Sequence, residues 1–286
     1  YMKKKRLYKI NYIIYSQVLF LIFCCSPEQK YEKTNTHHIK IGFGSCLKQN
    51  KPMPIFKSIK EENFDLFLMI GDNVYGSTEK KNLEELKLAY EEQKNNFERL
   101  ELNFPFEAIW DDHDYGRNDA GKEYTFKEES KELFLKFWNV PEHDIRRTRS
   151  GLYYEKSIVQ VGKKIQLLFL DTRTFRDPLK YSPDKERYIP NKDTSSTILG
   201  ENQWKWLQKK FSKESDYKII ISSIQFLPIG NGWESWSNFP HERKRLFTII
   251  EKSESKSVLF ISGDRHRGGL YQLKIGKDKT ISEVTS

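Results

Sequence analysis

Cysteine is scarce in this sequence, and two of the three cysteines stand next to each other. Cys24 and Cys25 are adjacent at the end of an N-terminal apolar stretch. Cys46 is then the only thiol in the body of the chain, which excludes a disulfide framework within the folded domain. Internal repeats and low-complexity tracts are also missing. A composition of 37% hydrophobic and 31% charged residues is typical of a globular protein and not of a disordered one.

Long hydrophobic runs are missing as well, apart from one near the N-terminus. Residues 10–23 are mostly apolar, follow a run of lysine and arginine, and precede Cys24 and Cys25. This stretch is short for a permanent membrane span, so residues 1–25 are predicted to be a bacterial export signal. A lipoprotein signal is favoured over a retained anchor. In either case we expect an exported, membrane-anchored protein, periplasmic or at the cell surface, with residues 26–38 as a polar tether.

The basic charge of the sequence comes largely from the same N-terminal segment. The formal net charge is +9, but five of the lysines and arginines precede residue 10, and no acidic residue occurs before position 24. The body of the chain is therefore only mildly basic. Mild basicity suits an anionic substrate as well as a nucleic acid, so no specific nucleic-acid partner is predicted.

From residue 39 onward, apolar runs of strand length alternate with helical patterns. Residues 64–70, FDLFLMI, form a continuous apolar run, as expected of a strand buried on both faces. Alternation of this kind predicts an α/β fold, and we assign residues 39–286 to one domain. A long loop over residues 178–200 is expected to be a functional lid or disordered. The predicted strands lie at 39–43, 64–70, 106–110, 151–162, 163–173, 217–225, 257–264 and from 270, and the predicted helices at 53–62, 82–100, 126–138, 201–211 and 241–252.

The polar motifs of the sequence fall directly after predicted strands. These motifs are GSC at 44–46, GDNVY at 71–75, WDDHD at 110–114, LDTR at 170–173 and SGDRH at 262–266. In α/β proteins, ligands bind at the carboxyl ends of the strands. Five such motifs are difficult to explain as ordinary polar turns, so we expect them to converge on one cleft.

The row Asp-Asp-His-Asp at 111–114 raises an electrostatic problem, because carboxylates packed together repel one another unless a positive charge lies among them. Carboxylates, imidazole, a thiol and a phenol are metal ligands for hard and borderline ions. We therefore predict a metal site, with two ions favoured. Asp72 directly follows a strand and is suitably placed to bridge the two ions. The residues expected to share the cleft are Cys46, Asp72, Tyr75, Asp111 or Asp112, His113, Asp114, Asp264 and His266.

The five motifs, in this order, resemble the PhoD-like alkaline phosphatase D family of metallophosphoesterases over residues 39–286. The resemblance implies an α/β fold of four layers, an αββα sandwich with a binuclear metal site at the carboxyl-terminal edge of two central sheets. It also implies a metal-dependent hydrolase of phosphate esters, a phosphomonoesterase or phosphodiesterase in which a metal-bridging hydroxide attacks phosphorus. No serine or threonine stands out as a nucleophile, and this chemistry requires none.

The resemblance assigns roles to residues motif by motif. Asp72 matches the bridging aspartate, and Tyr75 matches the tyrosine that ligates iron in the family. His113 matches the histidine that contacts the substrate or protonates the leaving group. Fe(III) at the thiolate and phenolate and calcium at the hard oxygen ligands are the implied ions, with zinc or manganese as alternatives. The implied metal ligands are Cys46, Asp72, Tyr75, Asp112, Asp264 and His266.

Structural explanations compete with these roles at several positions. Asp72 can be a simple turn residue, Tyr75 can pack at a strand end, and His113 can be a structural hydrogen-bonding group. The company of the other motif residues favours the functional explanation for all three. The tryptophans are interpreted as core or lid residues in preference to a sugar-binding platform, and they are Trp204, Trp206, Trp233 and Trp236.

Further charged residues are candidates for indirect roles or for contacts with the substrate. Asp111 and Asp114 either orient a metal ligand from behind or form a salt bridge with Arg117. Arg173 can bind a phosphate group through two hydrogen bonds, but holding a motif carboxylate is the favoured role. Arg265 flanks a predicted ligand and can attract an anion.

Other functions fit the same residues. One is a phospholipase-type or nucleotide phosphodiesterase that uses the same site, and another is a metal-dependent surface protein without catalytic activity. A nuclease is a third, supported only by the mild basicity. The sequence departs from the wider superfamily at Gln225, where other members have a late metal-binding histidine. It ends at EVTS, where relatives continue into further strands, which is consistent with a truncated C-terminus.

Overall fold

The computed structural model of the protein describes residues 38–80, 82–184, 187–230, 232–255 and 257–286. The predicted export signal over residues 1–25, and all of the predicted tether except His38, lie outside the described residues. Within the described part of the chain, no helix is both long and apolar enough to cross a membrane.

A small parallel sheet forms one half of the domain centre. Its strands are β1 at Ile41–Gly44, β2 at Leu66–Ile70 and β3 at Phe106–Ile109, in the order β1-β2-β3. All five residues of β2 are buried, because this strand lies between two neighbours and is covered on both faces. The unbroken apolar run in the sequence is the signature of that position.

A larger mixed sheet forms the other half. Its strands are β4 at Tyr154–Gln160, β5 at Lys163–Phe169, β8 at Tyr217–Ile221, β9 at Ser257–Ser262, β10 at Gly269–Ile275 and β11 at Lys279–Thr285. Their order is β10-β11-β9-β8-β5-β4. The four central strands pair in parallel, and the strands at both edges pair antiparallel. A separate hairpin of two short strands, β6 at Lys180–Tyr181 and β7 at Tyr188–Ile189, lies in the predicted long loop.

The longer helices pack on the outer face of each sheet, and two helices of four residues each lie in connecting segments. The helices are α1 at Ile55–Glu61, α2 at Glu84–Leu100, α3 at Asp112–Tyr115, α4 at Lys127–Phe137, α5 at Ile145–Thr148, α6 at Gly200–Phe211 and α7 at Pro240–Lys252. Helices α2 and α4 share one buried cluster with the outward side chains of β2. Helices α6 and α7 share a second cluster with the larger sheet.

A third buried cluster lies between the two sheets and joins them face to face. Leu68 and Ile70 of β2 meet Phe169 and Ile221 of the larger sheet there. Alternate residues of β2 contribute to the inner and outer clusters, as the two-residue period of a strand requires. Each fully buried side chain of this size contributes about 1.5–3 kcal/mol. The layers therefore run helix, sheet, sheet, helix, and the predicted αββα sandwich is confirmed.

One boundary differs from the prediction in a way that matters for the site. The strand predicted over residues 217–225 ends at Ile221. Ser222 then donates its hydroxyl to the carbonyl of Ile224, and the chain turns across the strand ends. Ser223 consequently lies at the edge where the polar motifs meet.

Candidate functional site

The polar motifs converge where the carboxyl ends of the two sheets meet. Gly71, after β2, has a φ of +102°, and a Cβ atom there would lie 2.6 Å from the Cβ atom of Asp111, after β3. The amide of Cys46 donates to the carbonyl of Gly71, and the amide of Gly263 donates to the carbonyl of Ser223 in the larger sheet. Close backbone contact therefore brings all of these loops to one edge.

Three candidate metal ligands form a first group. The ligand atoms of Cys46, Asp72 and His266 lie within 4.8 Å of one another, and Cys46 Sγ is 3.7 Å from Asp72 Oδ2. The phenol of Tyr75 joins this group, since its oxygen lies 3.2 Å from Asp72 Oδ2 and 3.0 Å from His266 Nε2. A thiol, a phenol, an imidazole and a carboxylate thus surround one point.

A second group shares one member with the first. It consists of Asp72, Asp112 and His113, whose ligand atoms also lie within 4.8 Å of one another. The amide of His113 donates to Asp112 Oδ1 at 2.9 Å. The amide of Asp119 donates to Asp112 Oδ2 at 2.7 Å and so fixes the carboxylate from behind. Asp72 is the residue common to both groups, which is the arrangement expected of a bridging ligand.

Several of these residues adopt a backbone conformation that is unusual for residues other than glycine. Nine described residues other than glycine have a positive φ, and four of these nine are predicted metal ligands. Such conformations cost about 1–3 kcal/mol each and concentrate at functional sites. Contacts with the surrounding residues must stabilise these backbone conformations. The conformations in turn direct the side chains into the cleft. The four are Cys46 at +58°, Asp72 at +54°, Asp264 at +67° and His266 at +53°.

The electrostatics of the cleft fit a bound cation. Burial, and then the carboxylates of Asp112 and Asp111, raise the pKa of Asp72 well above its usual range. Burial and the same two carboxylates also raise the pKa of Asp264, although Asp264 belongs to neither of the two groups. A cation among these side chains would relieve the repulsion. The donor set of soft, borderline and hard ligands is therefore suited to metal ions.

The three carboxylates of the acidic row have different surroundings. Asp111 and Asp114 accept hydrogen bonds from neighbouring residues, and Asp112 lies among the candidate metal ligands. Asp114 accepts the amides of Asp111 and Asn73, both at 2.9 Å, and so closes the turn that begins α3. Asp111 Oδ1 accepts from the hydroxyl of Ser223 at 2.6 Å. Asp112, between them, lies in the second ligand group. Asp111 and Asp114 are thus placed to position ligands from behind.

Arg173 supplies positive charge beneath this row. Its Nε donates to Asp111 Oδ1 at 2.6 Å, and its Nη2 lies 2.7 Å from Glu234 Oε2. The side chain is fully buried, so it holds carboxylates, the favoured role, and does not line the open cleft. Arg117 pairs with Glu123 at 2.8 Å and not with the acidic row.

His113 is held by partners on two sides. Its Nδ1 lies 2.6 Å from the hydroxyl oxygen of Ser77, and its ring centroid is 4.2 Å from that of Tyr75. Burial lowers the pKa of His113, and the nearby charges of Arg173 and Lys48 add to this effect, while Asp112 opposes it. Because Ser77 contacts Nδ1, Nε2 is the ring nitrogen with which His113 could contact a substrate or a metal.

Sequence reasoning missed several residues that support the site. Ser77 and Asp119 follow motifs closely and could have been examined for hydrogen bonds to them. Glu234, which also lies 2.8 Å from Arg176, and Tyr188, which donates to Asp119 Oδ2 at 2.6 Å, lie far from any motif. No local pattern identifies such partners, because the tertiary fold alone brings them together.

Gln225 and three of the tryptophans singled out in the sequence have clear structural settings outside the two ligand groups. Gln225 is buried and donates to Thr285 Oγ1 at 3.0 Å, so no imidazole-like ligand replaces the missing histidine there. Trp204 and Trp236 are core residues, as predicted. Trp233 is not a core residue, since 55% of it is exposed, and its ring centroid lies 5.2 Å from the guanidinium carbon of Arg265.

Comparison with known proteins places this geometry in a family. A model of the PhoD-like phosphatase family matches residues 24–285. Alkaline phosphatase D of Bacillus subtilis (strain 168) is 23% identical to the chain over 303 residues. That match covers 87% of this chain and 49% of the relative, so the chain spans about half the length of the curated protein it matches.

A solved structure of PhoD shares the fold. It superposes with a TM-score of 0.66 at 20% sequence identity, over 86% of this chain and 56% of the PhoD chain. The family model covers nearly the whole described domain, including all five motifs. The chain belongs to the PhoD-like phosphatase family.

Proposed function

We propose that this protein is a metal-dependent hydrolase of phosphate esters, acting as a phosphomonoesterase or phosphodiesterase of the alkaline phosphatase D type. The observation that carries the proposal is the double membership of Asp72, whose carboxylate belongs to both groups of candidate ligand atoms. A carboxylate shared between two ligand groups is what a two-metal phosphoesterase needs. Membership of the PhoD-like phosphatase family supports the same reaction class.

The two ligand groups divide the proposed metal ligands between two ions. The first ion would be held by the group around Cys46 and Tyr75, and thiolate and phenolate ligands favour Fe(III) there. The second would be held by Asp72 and Asp112, whose hard oxygens favour calcium. Zinc or manganese are the alternatives. When bound, the ions supply an acidified water and neutralise charge on the phosphoryl group. The full proposed ligand set is Cys46, Asp72, Tyr75, Asp112, Asp264 and His266.

His113 is the proposed catalytic residue. In the imidazolium form, which is the form that can protonate a leaving group, Nδ1–H donates to the Ser77 hydroxyl oxygen. Nε2–H then gives its proton to the leaving oxygen as the bond to phosphorus breaks, which leaves a neutral imidazole. The Tyr75 ring packed against the imidazole limits its rotation, so the donor is oriented before the substrate arrives.

The carboxylates behind the site keep these groups in place. Asp111, paired with Arg173 and Ser223, and Asp114, bonded to two amides, are proposed to position the loop and not to contact substrate. Such outer partners commonly change metal affinity or activity by about 10–100-fold when removed. Export and membrane anchoring through the N-terminus stay predictions from the sequence.

Elemental analysis of anaerobically purified protein tests the proposal first. We expect roughly one iron and one further metal per chain, with iron lost in Cys46→Ser and in His266→Ala. The matched control is His143→Ala, which replaces an exposed histidine in the turn between α4 and α5, outside both ligand groups, and should retain both metals. A wild-type chain that binds no metal after reconstitution would contradict the proposed site.

Turnover of a chromogenic phosphate monoester and of the corresponding diester then tests the reaction. Hydrolysis of either, lost together with metal in Cys46→Ser, supports the proposal and defines the preference. Bound metal with no turnover of either ester would instead favour a surface protein without catalytic activity.

A further inference from the structure

Trp233 is an exposed aromatic side chain at the rim of the candidate site. More than half of it is accessible to solvent, while Trp204 and Trp236 of the same domain are almost fully buried. Its partner Arg265 lies between Asp264 and His266, two of the proposed metal ligands, and the guanidinium contacts the indole ring. The indole therefore borders the cleft and does not belong to the core.

The contacts of the residues that follow Trp233 hold its backbone in place. Glu234 is buried and forms ion pairs with Arg173 and Arg176, at 2.7 and 2.8 Å. The amide of Ser235 donates to the side chain of Asn238 at 2.7 Å. These contacts anchor the two residues that follow Trp233, so the position of the indole ring is restricted. The ring therefore loses little conformational entropy when a ligand binds to it.

Arg265 has donors to spare. Its side chain is only 11% exposed, and its ion pair with Asp264 is long, at 3.7 Å. Its Nε is buried without a hydrogen-bond partner in the described part of the chain. Leaving a buried donor unpaired is unfavourable, and a hydrogen bond to a phosphate oxygen in the cleft would offset that cost. Guanidinium groups suit such oxygens because they can donate two parallel hydrogen bonds.

We propose that Trp233 and Arg265 together recognise phosphoesters whose alcohol portion carries a planar aromatic group, either a nucleobase or an aryl ring. Trp233 stacks on that group while Arg265 donates to a phosphate oxygen. An exposed planar ring strengthens the binding of another planar ring by stacking, whereas a flexible alkyl chain gains affinity mainly in an enclosed apolar groove. This inference rests on the phosphoester hydrolysis proposed above.

The test compares three substrates on the metal-loaded protein: a nucleoside 5′-monophosphate, 4-nitrophenyl phosphate and glycerol 3-phosphate. In Trp233→Leu we expect kcat/KM for the aromatic substrates to fall about 10-fold more than for glycerol 3-phosphate. A selective fall for both identifies any planar ring as the ligand. A selective fall for only one of them identifies that kind of ring.

The matched control is Tyr217→Leu, because Tyr217 is 52% exposed but begins strand β8 at the opposite end of the sheet. It should leave the three kcat/KM values within about twofold of the wild type, since surface substitutions away from a site have little effect. Arg265→Gln should lower all three, with partial recovery in Arg265→Lys.

An equal loss for all three substrates in Trp233→Leu, or no loss, would overturn the stacking proposal while leaving phosphoester hydrolysis intact. A metal-loaded wild type that hydrolyses none of the three would instead overturn the proposed function, and the substrate class with it. The two failures are therefore distinguishable.

Discussion

Arg173 and Glu234 form an ion pair in which the two charged atoms are 2.7 Å apart and neither side chain is more than 2% exposed. The same guanidinium pairs with Asp111, the first residue of the acidic row. One arginine thus links the loop that carries Trp233 to the loop that carries the proposed ligands Asp112 and His113. Stability and site geometry depend on the same charge.

Replacing this arginine should be strongly destabilising. Arg173→Met leaves two buried carboxylates without this counter-charge, and breaking a buried pair in that way costs about 3–5 kcal/mol. Urea unfolding at pH 7 measures the loss. The control is Arg117→Met, which breaks a half-exposed pair with Glu123 and should cost less than about 1 kcal/mol. Similar losses in the two variants would contradict the importance of the buried pair.

Gly71 should not tolerate a side chain. In Gly71→Ala the new methyl group would meet Asp111 at 2.6 Å, in a backbone conformation with φ of +102°. Conformational strain and overpacking together predict a loss of about 2–5 kcal/mol in free energy of unfolding. Gly162→Ala isolates the strain alone, since Gly162 has φ of +71° but no atom within 4 Å of the added methyl. It should lose about 1–2 kcal/mol, and an equal loss at Gly71 would argue against the close contact.

Ser77 should matter for catalysis more than for stability. Ser77→Ala removes the hydroxyl that orients the His113 ring, so kcat should fall about 10–100-fold with little change in KM or metal content. Thr78→Ala is the neighbouring control, because the Thr78 hydroxyl accepts from the amide of Lys80 and also hydrogen-bonds to Glu85, not to His113. If Thr78→Ala reduced kcat equally, the loss in both variants would come from a disturbed loop and not from the missing hydrogen bond to His113.

Lys218 should make the free energy of unfolding depend on pH in the alkaline range. Its ammonium is buried and donates to Gln166 Oε1 and the carbonyl of Lys213, each at 2.6 Å. Burial lowers the pKa of Lys218 from its usual 10.5. Between the lowered value and 10.5 the unfolded chain therefore binds more protons than the folded one, and stability rises with pH.

The comparison that reveals this effect is the free energy of unfolding of the wild type minus that of Lys218→Met. We expect this difference to increase from pH 8 towards pH 10.5. A difference that stays constant or declines over that range would show that the hydrogen bonds to Gln166 and Lys213 outweigh burial.

The main architecture was predictable because periodicity and burial agree in most elements. The apolar run at 64–70 became the fully buried strand β2. Strand β11 was missed because its inward residues include Glu283, whose carboxylate accepts the amides of Phe226 and Leu227. A buried acid at an inward position interrupts the apolar alternation that identifies a strand. The β6–β7 hairpin has two residues in each strand, too few to show any period.

Convergence of the motifs could be predicted from their positions after strands, since that follows from α/β topology. Which carboxylate of the acidic row lies among the candidate ligands, and which ones lie behind them, could not be predicted. Asp111 and Asp112 are chemically identical neighbours, and only the three-dimensional placement of Ser223 and Arg173 assigns the first to a supporting position. Glu234 was missed for the same reason, because its partners lie far away in sequence.

The distribution of the ligands between the two sheets has a consequence for how the protein matures. Tyr75 follows the small sheet and His266 follows the larger one, and 191 residues separate them in the chain. A growing polypeptide exposes the acidic row long before it supplies the last imidazole, and contacts so distant in sequence form slowly. Loading of the proposed metals would therefore be a late event, completed only after the two sheets have docked.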